Sequence, residues 1–325
     1  MRRREFIAAL GVAATWPLPA LAQQRIPRVA YFSAASAEME KPFFEAFEAG
    51  LRELGYFPGK SIEIVSRYAD GHDDRMAEQA RELVALEVDV IVTAGPGVYA
   101  AHTATSAIPI VSAVSGDLVA VSVAESLGHP GGNVTGQSIF LPEVLVKRAA
   151  LLQQVKPAMK SVGVLFPQNY PFTPSYLRAM DAPLRALGLE LKLIEVAEPN
   201  DCDRALSTGP GASIDGLVVL EIAKFDAGPG PAAIATAAAR HGLPTAGGLH
   251  GARNSGFLLG FGVDLGPMFR RAAVFVDKIL KGAKPGDIPI ERATKFITIV
   301  NLKTAAALGL EIPPSVLTQA DEVIE

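Results

Sequence analysis

Short apolar runs alternate with amphipathic helical stretches from Arg28 onward, and the whole alternation is played twice. Val29-Ala30-Tyr31-Phe32, Ile62-Glu63-Ile64-Val65, Val90-Ile91-Val92 and Ile108-Pro109-Ile110-Val111 read as strands. Between the first two, Phe43, Phe47 and Leu51 recur at spacing four beside Phe44 and Leu54, one helix face closed by Gly55. Asp74 reads as the cap of a second helix running through Leu86. Near-continuous apolar strands interleaved with helices require a parallel sheet covered on both faces.

The pattern restarts with a helix over 141–155 and a strand over 162–166, then a helix over 175–187 closed by Gly188 and a strand over 189–194. Leu217-Val218-Val219-Leu220 is a further strand, and the Ala-rich helix after it stops at His241-Gly242. Segments 258–262, 268–280, 295–300 and 302–308 supply late elements. The expected architecture is therefore α/β: two doubly wound parallel-sheet lobes, one over 28–135 plus 262–285 and the other over 136–261 plus 286–325. No low-complexity linker is present, so short crossing strands should join them. Asn133, Thr135 and Gly136, in a Gly-Gly-Asn-Val-Thr-Gly run at the seam, are the expected hinge together with Gly262. Open parallel sheets bind ligands beyond the carboxyl ends of their strands, so two facing sheets predict one cleft between lobes that hinge shut.

The first 22 residues stand apart. Arg2-Arg3-Arg4, an apolar run over 7–14, a Trp-Pro-Leu-Pro break and Ala20-Leu21-Ala22 make the layout of a signal peptide cleaved after Ala22. Arg3-Arg4-Glu5-Phe6-Ile7 reads as a twin-arginine signal, with a general secretory peptide as the alternative. Both lead to the periplasm. The apolar run is far short of the ~20 residues that span a bilayer, so no membrane anchor is expected.

Chemistry is sparse. The chain carries a net charge of −4, which gives nucleic acid no basic footprint. Gly59-Lys60-Ser61 precedes a strand where a phosphate loop needs a helix, and Gly95-Pro96-Gly97 lacks the third glycine of a dinucleotide fingerprint. Asp70-Gly71-His72-Asp73-Asp74 fits no calcium loop, the five histidines have no zinc spacing, and there is no G-x-S-x-G elbow. The single cysteine, Cys202, lies between carboxylates that disfavour a thiolate. No metal, cofactor or catalytic constellation is expected. Two readings survive for residues at strand ends. Gly95 begins a helix whose N–H groups could hold an anion, or is an ordinary tight turn. Asp117, after Ser115-Gly116, could accept from a ligand ammonium or hydroxyl, or cap the next turn.

The run Pro130-Gly131-Gly132-Asn133-Val134-Thr135-Gly136, with Gly116-Asp117, the leader, Thr294-Lys295-Phe296, Asn301 to Ala305 and Ala320 to Ile324, resembles the family of ABC-transporter substrate-binding proteins that includes tryptophan/tyrosine-binding members. The resemblance implies a type I periplasmic-binding fold with three crossovers, no catalysis and an ABC permease as partner; a monomer is expected. It implies first-lobe ligand contacts near Ser33, Ala34, Ala94, Gly95, Ser115 and Asp117. In the second lobe it points to the ends of strands, at Phe166 and Glu221, and to a turn reading Pro167-Gln168-Asn169-Tyr170-Pro171 that offers Asn169 and Tyr170. The family's aromatic after Leu243-Pro244 is Gly247 here, and its crossover Tyr is Phe261. A wider pocket, or one filled by Tyr170 and Phe261, is expected from those changes. The expected function is capture of a small ligand (amino acid-like, aromatic or a small organic acid) for import. A sensor that signals to a membrane receptor and an exported α/β enzyme are the alternatives.

Overall fold

A computed structural model describes residues 25–325 apart from positions 171 and 227. The expected leader, its arginine pair and its cleavage point lie outside the described residues, as does Pro171. The strands are β1 (Arg28–Ser33), β2 (Glu63–Tyr68), β3 (Val90–Ala94), β4 (Ile110–Val114), β5 (Val134–Ser138), β6 (Ser161–Pro167), β7 (Glu190–Val196), β8 (Leu217–Val219), β9 (Thr245–Gly247), β10 (Leu259–Val263), β11 (Glu291–Arg292), β12 (Phe296–Asn301) and β13 (Glu322–Ile324). They form two sheets, ordered β11-β5-β4-β3-β1-β2 and β13-β12-β10-β9-β8-β6-β7. The first is parallel throughout; in the second only β10 and β12 pair antiparallel. This is the two-lobed parallel α/β architecture that the alternating pattern predicts.

The helices through residue 280 are α1 (Ala37–Glu53), α2 (Asp73–Ala85), α3 (Pro96–Ala104), α4 (Leu141–Val155), α5 (Thr173–Ala186), α6 (Cys202–Ser207), α7 (Ala223–Asp226), α8 (Gly230–Arg240), α9 (Leu249–Asn254) and α10 (Leu265–Leu280). The start of α1 is fixed by Ser36, whose Oγ accepts from the Met39 N–H, and by Glu38 and Glu40 in its first turn. Phe47 and Leu51 bury its inner face, as their spacing requires. Asp74 is not a cap. The flanking residue of α2 is His72, without a side-chain bond, so Asp74 sits inside the first turn.

The chain changes lobe three times. β5 ends at Ser138 in the first sheet, and α4 then packs on β8, β9 and β10 of the second. β10 ends at Val263, and α10 returns to pack on α1 and β4; Tyr56 donates to Asp277 at 3.0 Å to hold it there. β11 pairs with β5 before β12 joins the second sheet. The crossings are thus at 139–140, 264 and 293–295. Residues 136–138 and 286–292 belong to the first lobe and Gly262 and Val263 to the second, because that is where their backbone bonds go.

The Asn133–Gly136 run is consequently not a crossing. Asn133 Nδ2 donates to the Thr105 and Ile108 carbonyls at 2.9 and 2.8 Å. Thr135 is fully buried and its hydroxyl donates to Ile288 O at 2.7 Å. Gly136 (φ +124°) lies so close to Ser112 that a side chain there would collide with the Ser112 carbonyl. All three anchor β5 within the first sheet. Gly262 does adjoin a crossing.

Candidate functional site: the cleft between the lobes

The carboxyl ends of β1, β3 and β4 form one wall. Ser33, at the end of β1, is buried and accepts from the Ala35 N–H through Oγ at 3.0 Å; Ala34 lies half-buried next to it. Ala94 ends β3, where the register with β4 shifts, and Gly95 takes φ +52° to start α3. Thr93, one residue earlier, was missed by sequence reasoning. Its hydroxyl is buried with no hydrogen-bond partner and lies directly beneath Gly97 in the first turn of α3. Helix N-termini attract anions through free N–H groups and the helix dipole. Ser115 is buried, and its carbonyl accepts from Ile139 at the first crossing. Asp117 caps a turn: its Oδ1 accepts from the Val119 and Ala120 N–H groups, both at 3.0 Å.

The opposite wall is acidic. Arg148 sits on the apolar face of α4 and is fully buried. It donates to the Phe261 carbonyl at 2.8 Å, the Val219 carbonyl at 2.9 Å and Glu221 at 2.5 Å. Glu221 lies two residues beyond the end of β8, so this mostly buried ion pair stands at the carboxyl end of that strand. Asp226, at the end of α7, is the second carboxyl group of the cluster and was also missed. Its Oδ1 accepts from the Gly251 N–H at 3.3 Å. Burial, then the nearby Glu221 charge, push it up to about 8, with Arg148 pulling the other way.

Gly247 does not open a pocket. A Cβ there would lie 2.6 Å from the ring of the buried Phe257 and 3.4 Å from Val219, so its missing side chain would point into the lobe core. Gly248 is the residue whose side chain would run into the Asp226 carboxyl group. Phe166 is likewise fully buried core. Asn169 takes φ +60° in the turn after β6, and Tyr170 packs edge-on against Phe172 at 5.2 Å. Phe261 stacks on Phe296 at 5.3 Å between the second and third crossings.

The two walls touch on one side and approach on the other. Tyr99 of α3 meets Phe172 edge to face at 6.3 Å. The Tyr176 hydroxyl of α5 lies against Gly116, leaving no room for a side chain there. Burial, with Tyr170 and Asp117 nearby, keeps that hydroxyl protonated. On the other side, Met39 Sδ is 3.8 Å from where a Cβ of Gly228 would be. The first lobe thus presents a helix N-terminus and the second two carboxyl groups, with aromatic side chains where the lobes meet along one flank. Among the described residues there is no group of three or more His, Cys, Asp and Glu suited to a metal. Cys202 is buried, and burial lifts its thiol to about 12, far from a thiolate.

Residues 37–324 match the family model described as ABC transporter substrate binding protein. The chain belongs to that family. It is 24% identical over 274 residues to a tyrosine-binding protein of Clostridioides difficile, covering 82% of this chain and 76% of that one. An ABC domain from Streptococcus pneumoniae solved with L-Trp matches at a TM-score of 0.83 and 23% identity, over 92% of this chain and 99% of that one. A conserved domain protein of Vibrio cholerae matches at 0.84 and 24% identity, over 92% and 100%. The structural likenesses establish a periplasmic-binding-protein-like fold. Members of the family bind substrates and are not enzymes. Among the described residues no helix is long and apolar enough to cross a membrane.

Proposed function

We propose that this family member is the exported, ligand-capturing subunit of an ABC importer, taking an amino acid-like ligand into the inter-lobe cleft and closing on it about the three crossings. The observation that carries the reading is the cleft itself: opposed strand ends of two lobes that meet at Tyr99–Phe172 and where the Tyr176 hydroxyl lies against Gly116. A helix N-terminus on one wall and carboxyl groups on the other suit a ligand with an anionic and a cationic end. The aromatic flank of Tyr170, Phe172 and Tyr176 suits an apolar or aromatic side chain. The tryptophan and tyrosine in the names of two relatives make those amino acids the first to test. Ser33, Ala34, Ala94, Gly95 and Ser115 contribute the first wall and Glu221, Tyr170 and Phe261 the second. Asp117 shapes its turn, and Gly247 and Phe166 support the wall from behind.

A thermal-shift screen of the L-amino acids tests this. A true ligand at 100 times its Kd should add about 2.7 kcal/mol of stability and raise Tm by several degrees. A flat response across the panel would remove the amino acid class. Small-angle scattering with and without the best ligand should then show a smaller radius of gyration on binding.

A further inference from the structure

We propose that Gly116 is the stop for lobe closure: its missing side chain leaves a socket for the Tyr176 hydroxyl, and the depth of that socket sets how far the lobes shut. This stop rests on the hinged-cleft reading above and adds to it a residue that governs affinity through the lobe angle.

Both sides of the contact are held in place. On the first lobe, the Ser115 carbonyl accepts from the Ile139 N–H at 2.7 Å and the Gly116 carbonyl accepts from Ser138 Oγ at 2.9 Å. Asp117 Oδ1 then caps the turn that follows. The end of β4 is thereby fixed against the first crossing. On the second lobe, the Tyr176 ring is buried, stacks on Phe172 at 6.1 Å and meets Phe166 and Tyr170 at 6.3 Å each. A ring packed so closely cannot swing aside without displacing its neighbours. A Cβ on Gly116 would overlap the Tyr176 hydroxyl, yet would stand 3.4 Å from Tyr176 Cζ and 3.6 Å from Leu141 Cδ1. One oxygen atom is therefore in conflict, and the lobe angle is the coordinate left to relieve it.

Position amplifies the effect. Gly116 adjoins the first crossing, whereas β1, which leads into Met39 and the approach to Gly228, lies three strands away from β5. A small separation near the pivot becomes a larger one at that rim. The Gly116 backbone lies outside the left-handed region, so alanine suits it whenever the lobes stand apart. Glycine at 116 is needed by the shut form alone.

Spin labels at Glu78→Cys on the first lobe and Ala197→Cys on the second, both exposed positions, report the distance between the lobes by double electron–electron resonance; Cys202 is buried out of a label's reach. Calorimetry with L-tryptophan and L-tyrosine reports binding. In the otherwise native protein at least one of the two should bind and shift the population to shorter distances. Gly116→Ala should lose that short population and bind at least about tenfold more weakly, because the competent form is depleted. Its ligand-free melting temperature should not fall. Adding Tyr176→Phe removes the conflicting oxygen, so the double variant should regain the short population and bind within about threefold of Tyr176→Phe alone. A Gly116→Ala protein that closes and binds like the native one overturns the stop, as does a loss that Tyr176→Phe leaves unrepaired. If neither amino acid binds but the native lobes still populate the short distance, the amino acid reading falls, and the stop stands or falls on whether Gly116→Ala abolishes that population. Native lobes that never approach remove both.

Discussion

An arginine on the apolar face of a helix is a residue-scale anomaly that a sequence does display. Arg148 follows Val144 and Leu145 at helical spacing and precedes Leu151, Leu152 and Val155, all buried. Replacing it by Met leaves Glu221 without its partner and two carbonyls unsatisfied, which should cost about 3–5 kcal/mol. Denaturant unfolding of Arg148→Met would measure it, and adding Glu221→Gln should recover part of the loss. Asp226 was less legible, because its carboxyl group is set against Gly248 and Gly251, and that proximity is tertiary. Its titration has a definite sign. The folded, ligand-free carboxyl titrates near 8, above its value of 3.8 in the unfolded chain. The folded state therefore holds the extra proton between those values, and this contribution to stability is lost as pH rises from about 4 to about 8. The melting temperature of ligand-free native protein should fall across that window relative to Asp226→Asn, and a parallel decline in both would contradict the assignment.

The regular elements were legible because burial imposes their periods. The helix over 141–155 has the expected bounds, and the central strands fall within a few residues of theirs. Two misreadings share one physical cause: glycines were read as freedom or space where they mark close packing. Gly136 lets β5 approach Ser112 and so belongs to a strand, and Gly247 lets β9 pass the Phe257 ring. No single sequence distinguishes a glycine that opens a cavity from one that closes it, since the neighbour filling the space is distant in the chain. The consequence is testable at β9. Gly247→Ala should destabilise the second lobe by about 1–3 kcal/mol through overpacking, measured by urea unfolding, while ligand affinity of the folded fraction stays within about twofold. A large affinity change with unaltered stability would return Gly247 to the cleft.

At the scale of the whole molecule, affinity contains the cost of closing. If the binding-competent form is only partly populated, the apparent Kd is raised by that fraction, so contacts made between lobes alone contribute to affinity without touching ligand. Tyr99 and Phe172 are such a pair: one stands on the first lobe, the other on the second, and Tyr99 is still 48% exposed with the lobes in contact. An aromatic pair of this kind is worth about 0.5–1.5 kcal/mol, so Tyr99→Ala should weaken ligand binding by roughly 3- to 10-fold. Phe172→Ala should act similarly, though it also loses packing against Tyr170 and Tyr176. In the double variant the two losses should fall short of additive, because either substitution already removes the shared contact. Melting of the ligand-free Tyr99→Ala protein should hardly change, since opening the cleft gives the contact up in any case. Additive losses, or a Tyr99→Ala protein that binds as tightly as the native one, would mean that closure does not draw on this contact.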